Sequence, residues 1–443
     1  MKKLVIAAVG GTLAGLLMTA QLTGPLIAQE AERTKSTYEQ LDLFGDIFER
    51  IRATYVEPVD EQKLIRAAIS GMVKSLDPHS SYMPPEDFEA MQVQTRGQFG
   101  GLGIEVTQEN GFVKVVSPID DTPAARAGIE AGDFITKVDG ESTLGMSLDD
   151  AVKLMRGEIG EEIVITVVRE GIDEPFDVTL KRDVIKVKAT RGRLEGKSVV
   201  LRITSFSDQT YVNLESELKK LVKEAGGMDK VNGFVIDLRN NPGGLLNQAI
   251  LVSDAFLESG EIVSTRGRNS QDSDRVNATP GDLAEGKPIV VLINGGSASA
   301  SEIVAGALKD HHRAILVGTQ SFGKGSVQTI MPLQGDGALR LTTARYYTPS
   351  GRSIQNLGVA PDILVEFRRP KAEGEEDDVI KARRSEADLN GTITNDSLTE
   401  DEKKQLLEER KAQEEAAKRR SRDSQLAYAL DMLTGLAVLQ GTK

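Results

Sequence analysis

Apolar runs of strand length alternate with helical stretches through the largest block of the chain, residues 197–367. The strand-like runs cover residues 199–203, 233–238, 289–293 and 314–317, and the helical stretches cover residues 214–224, 246–256 and 300–309. This alternation is typical of β-α units, which fold around a mainly parallel sheet with helices on its faces. The pattern therefore predicts an α/β core in this block.

The composition excludes several classes of function. The chain has 54 Lys and Arg against 67 Asp and Glu, and the net charge of −13 argues against a protein whose main task is to grip a phosphate backbone. Cys is absent, which excludes a disulfide framework, a thiol nucleophile and a thiolate metal site. A length of 443 residues exceeds what one hydrophobic core supports, so we expect two or three domains.

Residues 97–182 differ from the large block because their β-type runs are short and separated by glycines. Strand-like runs cover residues 112–116, 134–138 and 163–168, and short helical stretches lie near residues 124–127 and 148–155. We therefore predict a small, partly open barrel of six short strands and two helices.

Helical periodicity appears at both ends of the chain. Apolar spacing predicts amphipathic helices over residues 37–56 and 61–76, which are too few to form a core without something else to pack on, such as a partner chain. Leu426, Leu430, Leu433 and Leu436 predict a helix that docks on a core or on a second subunit. The charged stretch 371–423 is typical of a solvated helix or linker.

Residues 1–28 have the layout of a secretory signal. Lys2 and Lys3 precede an apolar run that ends near Ala20, and small residues follow. The run is close to the shortest that spans a bilayer, so both a cleaved signal and a retained anchor remain open, and both export the rest of the chain.

Three segments of the large block could carry chemistry. In residues 291–310, an apolar strand runs through Asn294-Gly295-Gly296 and small residues into a helix. Such a strand–turn–helix places a nucleophile and an oxyanion site at the carboxyl edge of a sheet. Ser297, Ser299 and Ser301 are all candidates, and a simple serine helix cap is the alternative.

Lys324 lies in the second segment, VGTQSFGKGSVQ (317–328). The segment nearly spells a phosphate-binding loop, but Gly325 stands where Ser or Thr must hold magnesium, and strands rather than a helix follow. A desolvated lysine can instead be neutral and accept a serine proton, whereas a surface lysine in a flexible loop is the alternative. In the third segment, residues 233–246, Pro242-Gly243-Gly244 can turn backbone N–H groups into a cleft or form an ordinary strand-to-helix turn.

The histidines favour neither a triad nor a zinc site. His311 and His312 lie at the far end of the helix that follows Ser299, and His79 lies in a loop before the barrel. We expect no metal and no cofactor.

Together these residues resemble the carboxy-terminal processing proteases, a family of exported PDZ-containing Ser/Lys endopeptidases. The resemblance covers residues 40–367, and several long motifs occur in the family's order. They are SLDPHSSYM (75–83), GQFGGLGIEV (97–106), DLRNNPGG (237–244), NGGSASASEI (294–303), GTQSFGKGSVQ (318–328) and YTPSGRSIQNLGVAPD (347–362).

The resemblance implies a role for individual residues. Ser299 matches the family's nucleophile, Lys324 its general base, and Gln328 the glutamine that orients the lysine. The oxyanion hole would come from the N–H groups of Ala300 and of a glycine in the Pro242 turn, for which we favour Gly244. Asp310 matches a structural aspartate.

The barrel resembles a PDZ domain that recognises a terminal carboxylate. Its carboxylate-binding loop matches Gly101, Leu102, Gly103 and Ile104. We expect Leu148 and Val152 to line the pocket for an apolar last side chain, and Arg156 matches a position that couples ligand binding to movement of the barrel over the cleft. A solvated helix end is the alternative for Arg156.

The resemblance implies an α/β and α+β multidomain fold, in which a crotonase/Clp-like β-β-α protease core carries an inserted PDZ domain and helical N- and C-terminal segments. The expected parts are a signal peptide or anchor (1–28), an N-terminal helical segment (29–96), a PDZ domain (97–182), the protease core (183–370) and a charged linker with the C-terminal helix (371–443).

The expected function is that of an exported serine endopeptidase, in the periplasm or on the outer face of the inner membrane, that cuts proteins near their C-termini. Its expected partners are proteins with apolar or unstructured C-termini, an adaptor protein and a second copy of the chain, and nucleic acid is excluded. An inactive envelope PDZ scaffold is one alternative, although the intact Ser299, Lys324 and Gln328 argue against it. An acyl-CoA enzyme of the crotonase type is the other, and the export signal and the barrel argue against that.

Overall fold

The computed structural model describes residues 36–119, 121–367 and 422–440. It contains two compact units, of which the first ends at Tyr82. The described part of the first unit, residues 36–82, has two helices, α1 (residues 36–54) and α2 (Glu61–Lys74), as the periodicity predicts. Large apolar side chains on both helices, among them Leu41 and Met72, are exposed. Packing of these helices on a partner chain stays a prediction.

The PDZ-like region lies in the second unit. Its sheet has the strand order β3-β4-β5-β7-β8 with β6 beside β5, and two helices accompany it, so the sheet has the six strands and two helices that were predicted, and β2 is a further strand of the same region. Strand β2 pairs antiparallel with β9, where the chain enters and leaves the region. The elements from β1 to β9 are β1 (Ser81–Met83), α3 (Pro85–Arg96), β2 (Gln98–Gly101), β3 (Ile104–Glu109), β4 (Phe112–Pro118), α4 (Pro123–Arg126), β5 (Phe134–Val138), β6 (Glu141–Ser142), α5 (Leu148–Met155), β7 (Glu162–Val168), β8 (Phe176–Lys181) and β9 (Asp183–Lys186).

The large block forms a six-stranded sheet with the order β10-β11-β12-β15-β16-β19. It is parallel from β11 to β19, and only β10 at the edge is antiparallel, so the predicted mainly parallel sheet is confirmed. Its elements are β10 (Thr190–Glu195), β11 (Ser198–Ile203), α6 (Thr210–Glu224), β12 (Gly233–Asp237), α7 (Leu246–Asp254), β15 (Ile289–Ile293), α8 (Ala300–Asp310), β16 (Ala314–Gly318) and β19 (Ile363–Leu364).

Period-two alternation divides the side chains of this sheet between two apolar layers. Residues such as Ile236 and Val291 face the layer that contains α6, α7 and α8. Val235 and Val290 face the opposite layer, which is closed by a C-terminal helix, α9 (Ser424–Gln440). The buried apolar residues of α9 are Leu426, Ala427, Ala429, Leu430 and Leu433, whereas Leu436 is only partly buried. Docking of this helix on a core is therefore confirmed.

A second sheet includes four antiparallel strands: β13 (Glu261–Gly267), β14 (Ser273–Asn277), β17 (Ser326–Pro332) and β18 (Ala338–Tyr347). The β17–β18 hairpin follows Lys324 directly, which confirms that strands and not a helix follow this lysine. No helix within the described ranges is long and apolar enough to cross a membrane. The predicted signal or anchor lies outside the described residues, as does nearly all of the charged stretch 371–423.

Candidate active site

Ser299 lies in the turn between the fully buried strand β15 and helix α8, where it is the residue before the helix. Its backbone has φ 55° and ψ −111°, a conformation that a non-glycine residue adopts only when its surroundings hold it there. The two neighbouring serines have structural hydrogen bonds: Ser297 Oγ donates to the Leu238 carbonyl at 2.8 Å, and Ser301 Oγ donates to the Asn241 carbonyl at 3.0 Å. Ser299 instead forms a capping box with Glu302 at the start of α8, and its role as the nucleophile stays a prediction.

The Pro242-Gly243-Gly244 turn approaches Ser299 closely. A Cβ atom on Gly243 would lie 2.8 Å from Ser299 Cβ and 2.9 Å from the Ala300 nitrogen, so only glycine fits. The Gly243 N–H donates to Asn241 Oδ1 at 2.9 Å. No hydrogen bond found among the described residues uses the N–H of Gly244 or of Ala300. Both groups thus remain available to an oxyanion beside Ser299.

Lys324 lies in the loop between β16 and β17 and is partly buried. Burial lowers the pKa of its ammonium group, and the nearby Arg340 guanidinium lowers this pKa further, against an opposing contribution from Glu302. A lowered pKa increases the neutral fraction of the amine, which is the form that accepts a proton.

The carboxylate of Glu302, which is 0% exposed, joins the nucleophile turn to the lysine loop. One oxygen, Oε2, accepts the N–H of Ser299 at 2.8 Å and the N–H of Lys324 at 2.9 Å. The other, Oε1, accepts Ser321 Oγ at 2.6 Å and the Gly323 N–H at 2.7 Å. One buried side chain thereby fixes the backbone at both Ser299 and Lys324. The sequence analysis did not single out this residue, although a Ser followed three positions later by Glu is the signature of a capping box at the start of a helix.

Gln328 lies on β17, and its amide nitrogen donates to Ser326 Oγ at 2.9 Å and to Thr342 Oγ1 at 3.3 Å. Both contacts are with hydroxyl groups, so the orientation of Lys324 by Gln328 stays a prediction.

Asp310, His311 and His312 lie where the sequence predicts them, at the far end of α8 from Ser299. The His311 ring lies 2.7 Å from the Glu261 carbonyl, and Asp310 Oδ2 accepts the Ser350 N–H at 2.9 Å. These contacts are structural.

The predicted carboxylate loop leads into β3, an edge strand of the PDZ-like sheet. Leu102 is buried, and Gly103 has φ 76° with no space for a Cβ beside Thr122. Leu148 and Val152 on α5 are partly buried against the same core. The binding of a peptide by the loop, the edge strand and the apolar helix face stays a prediction.

Arg156 follows α5, and its guanidinium lies 4.3 Å from the centre of the Phe99 ring on β2. Because β2 pairs with β9, this contact links the end of α5 to the strands that join the PDZ-like region to the rest of the unit.

A cavity of about 310 Å³ is lined by the second sheet, at β13, β14, β17 and β18, and by the first residue of α7. Leu246 lines it two residues after Gly244, and Val327 lines it next to Gln328. Its apolar walls also include Val263, Val276 and Ala344, while Asp272 and Asp274 are acidic.

Three family models match the chain. Peptidase family S41 matches residues 197–365, the PDZ domain matches residues 114–169, and the activating protease CtpB N-terminal domain matches residues 4–87. The boundaries predicted from sequence between the parts of the chain remain predictions.

Curated relatives are similar over most of the chain. A carboxy-terminal-processing protease of Bartonella bacilliformis is 57% identical over 358 residues, which cover 81% of this chain and 82% of that protein. A probable CtpA-like serine protease of Staphylococcus aureus is 37% identical over 75% of this chain and 66% of its own length. Among solved structures, a photosystem II D1 C-terminal processing protease is 29% identical with a TM-score of 0.42, over 73% of this chain and 92% of that one.

Replacing Glu302 with Gln should strongly impair any activity that uses Ser299. The amide would turn an N–H₂ group toward backbone N–H donors, so at least one of the four hydrogen bonds would be replaced by an unfavourable contact. We expect a loss of at least about tenfold in kcat and about 1–3 kcal/mol in the free energy of unfolding. Ser321→Ala, which removes only one of the four donors, should have a smaller effect in both assays. Wild-type kcat in the Glu302→Gln protein would contradict this role.

Proposed function

We propose that this chain, which belongs to peptidase family S41 and is a carboxy-terminal-processing serine protease with a PDZ domain, hydrolyses peptide bonds through Ser299 and Lys324. Family membership establishes the serine protease activity. The assignment of the two residues is carried by Glu302, because its carboxylate holds the backbone N–H groups of both residues on one oxygen.

In the first half of the reaction, the neutral amine of Lys324 takes the hydroxyl proton of Ser299. Ser299 Oγ attacks the carbonyl carbon of the scissile bond, and the N–H groups of Gly244 and Ala300 hold the resulting oxyanion. Lys324, now protonated, gives its proton to the leaving amine as the peptide C–N bond breaks.

In the second half, Lys324 takes a proton from water while the water oxygen attacks the acyl-enzyme ester. The intermediate collapses, the carboxylic acid product leaves, and the proton returns to Ser299 Oγ. The cavity beside Leu246 and Val327 accepts an apolar side chain of the substrate during both halves.

The PDZ domain selects substrates by their C-termini in this proposal. The backbone N–H groups of the loop at Gly101–Ile104 bind the terminal carboxylate, and the peptide extends the sheet at β3. Leu148 and Val152 contact the apolar last side chain. Arg156 contacts the ring of Phe99 on β2, which pairs with β9. Through this contact, peptide binding changes the position of the PDZ domain over the cleft.

Export completes the proposal, with residues 1–28 as the signal or anchor. A catalytically inactive scaffold would also bind C-terminal peptides. The buried Glu302 network argues against that alternative, since a scaffold has no need to fix the backbone at Ser299 and Lys324 together.

Lys324→Arg should be as inactive as Lys324→Ala, with a loss of about 10²–10⁴-fold in kcat. Arginine keeps the positive charge and the approximate length but stays protonated, so it cannot accept the serine proton. Cleavage of casein measures the effect, with Ser299→Ala as the inactive reference and His311→Ala as the active control. Near-normal turnover by Lys324→Arg would exclude lysine as the base.

The rate of hydrolysis should rise with pH through the pKa of Lys324. This pKa lies below its ordinary value of 10.5, so the rise occurs below that pH, and lower pH inactivates by protonating the base. Because the Arg340 charge contributes to the lowering, Arg340→Gln should shift the profile of kcat/KM to higher pH. A profile that does not move would remove Arg340 from this role.

A peptide that ends in an apolar residue should bind the full-length Ser299→Ala protein, and its C-terminally amidated form should bind at least about tenfold more weakly. The amide removes the charge that the loop N–H groups recognise. Fluorescence anisotropy measures both affinities, and Val152→Asp serves as a groove control. Equal affinities for the two forms would exclude carboxylate recognition.

A further inference from the structure

Arg239 connects the glycine turn to the C-terminal helix. It lies two residues after Asp237, at the start of the segment that ends in Gly243-Gly244, and it is 7% exposed. Its Nη1 and Nη2 atoms donate to the two carboxylate oxygens of Asp423 at 2.8 and 2.7 Å, and Nη1 also donates to Gln425 Oε1 at 3.0 Å. Asp423 immediately precedes α9.

The rest of the guanidinium is bound to Asp237. Nε donates to Asp237 Oδ1 at 2.9 Å, and Nη2 donates to Asp237 Oδ2 at 2.8 Å. Five hydrogen bonds therefore match the five N–H donors of an arginine, which leaves the side chain no alternative partner. Burial alone would raise the pKa of Asp423, but the hydrogen bonds from Arg239 keep that pKa below its ordinary value, so the pair is charged at neutral pH.

The position of Asp423 is fixed by α9. Asp423 Oδ1 accepts the Leu426 N–H at 3.0 Å and so caps the helix. Gln425 donates to the Val365 carbonyl at 2.7 Å, and Leu430 and Leu433 are buried against the sheet. The apolar layer thus determines where the carboxylate meets Arg239.

The segment that follows Arg239 leads directly to the reacting groups. The side chain of Asn241 donates to the Ile203 carbonyl at 2.9 Å and accepts the Gly243 N–H at 2.9 Å. The Asn241 carbonyl accepts the Ala298 N–H at 3.0 Å, one residue before Ser299. A displacement at Arg239 would therefore reach both sides of the oxyanion site.

We propose that Asp423 is a positioning residue for the oxyanion turn and acts through Arg239, so that the C-terminal helix helps to set the rate of hydrolysis. The inference rests on the proposed role of Gly244 and Ala300. It differs from a general stabilising role of α9, because the contact is made by Arg239, in the segment that leads into the glycine turn, and not by the apolar layer.

Asp423→Asn tests the inference in the full-length chain. Asparagine caps a helix as well as aspartate does, but it cannot accept from both guanidinium nitrogens. We expect kcat on a fluorogenic peptide to fall about tenfold and KM to be nearly unchanged. This fall in kcat is smaller than the fall caused by removing an oxyanion donor altogether. Hydrogen exchange of the backbone amides of residues 240–245 should become faster.

Leu433→Ala is the matched control, because it loosens the packing of α9 without touching Arg239. We expect a lower thermal denaturation midpoint and, at temperatures where the variant is folded, kcat close to that of the wild type. An equal fall in kcat in both variants would overturn the inference, since the effect would then follow from general loosening.

Two further outcomes separate this inference from the proposed function. If Ser299→Ala is inactive while Asp423→Asn has wild-type kcat and exchange, the inference is wrong and the proposed function stands. If Ser299→Ala is active, the proposed function is wrong, and unchanged exchange at residues 240–245 in Asp423→Asn would show that the positioning is wrong as well.

Discussion

A single buried carboxylate holds the candidate active site together. Glu302 accepts four hydrogen bonds, three of them from backbone N–H groups, and it belongs to the first turn of the helix that begins after Ser299. Burying a charge without partners is costly, so this position tolerates an anion only because every donor is in place. The turn at Ser299 and the loop at Lys324 must therefore form together, because each conformation depends on hydrogen bonds to the same carboxylate.

The glycine turn satisfies a different constraint, which is steric. Gly243 has no space for a side chain between Ala298 and Ala300, and Gly244 has no space beside Phe206. Both have positive φ, at 101° and 145°. The close approach of two backbone segments brings N–H groups from different parts of the chain to one point. Glycine permits this approach, but it loses more conformational entropy on folding than other residues do.

The parts of the fold that could be predicted are those with strong local patterns. Strand β15 is a continuous apolar run between Pro288 and Asn294, and its predicted bounds, 289–293, are the observed ones. Strands β13 and β14 were not predicted, because polar residues such as Ser264 and Arg275 interrupt their alternation. In the site, sequence motifs predict Ser299 and Lys324. They do not predict the hydrogen bonds of Gln328 or the Arg239–Asp423 pair, because a local sequence pattern does not indicate which distant side chain a polar group contacts.

The pairing of Arg239 with Asp423 also has a consequence for the order in which the molecule is made. The two residues are separated by 184 positions, so a ribosome that has added Arg239 must synthesise the whole intervening segment before Asp423 exists. During that interval the guanidinium has Asp237 but lacks Asp423 and Gln425, and the sheet face under α9 lacks its covering helix. The nascent chain consequently carries a glycine turn whose supporting contact is still missing, and that contact forms only after α9 has been synthesised.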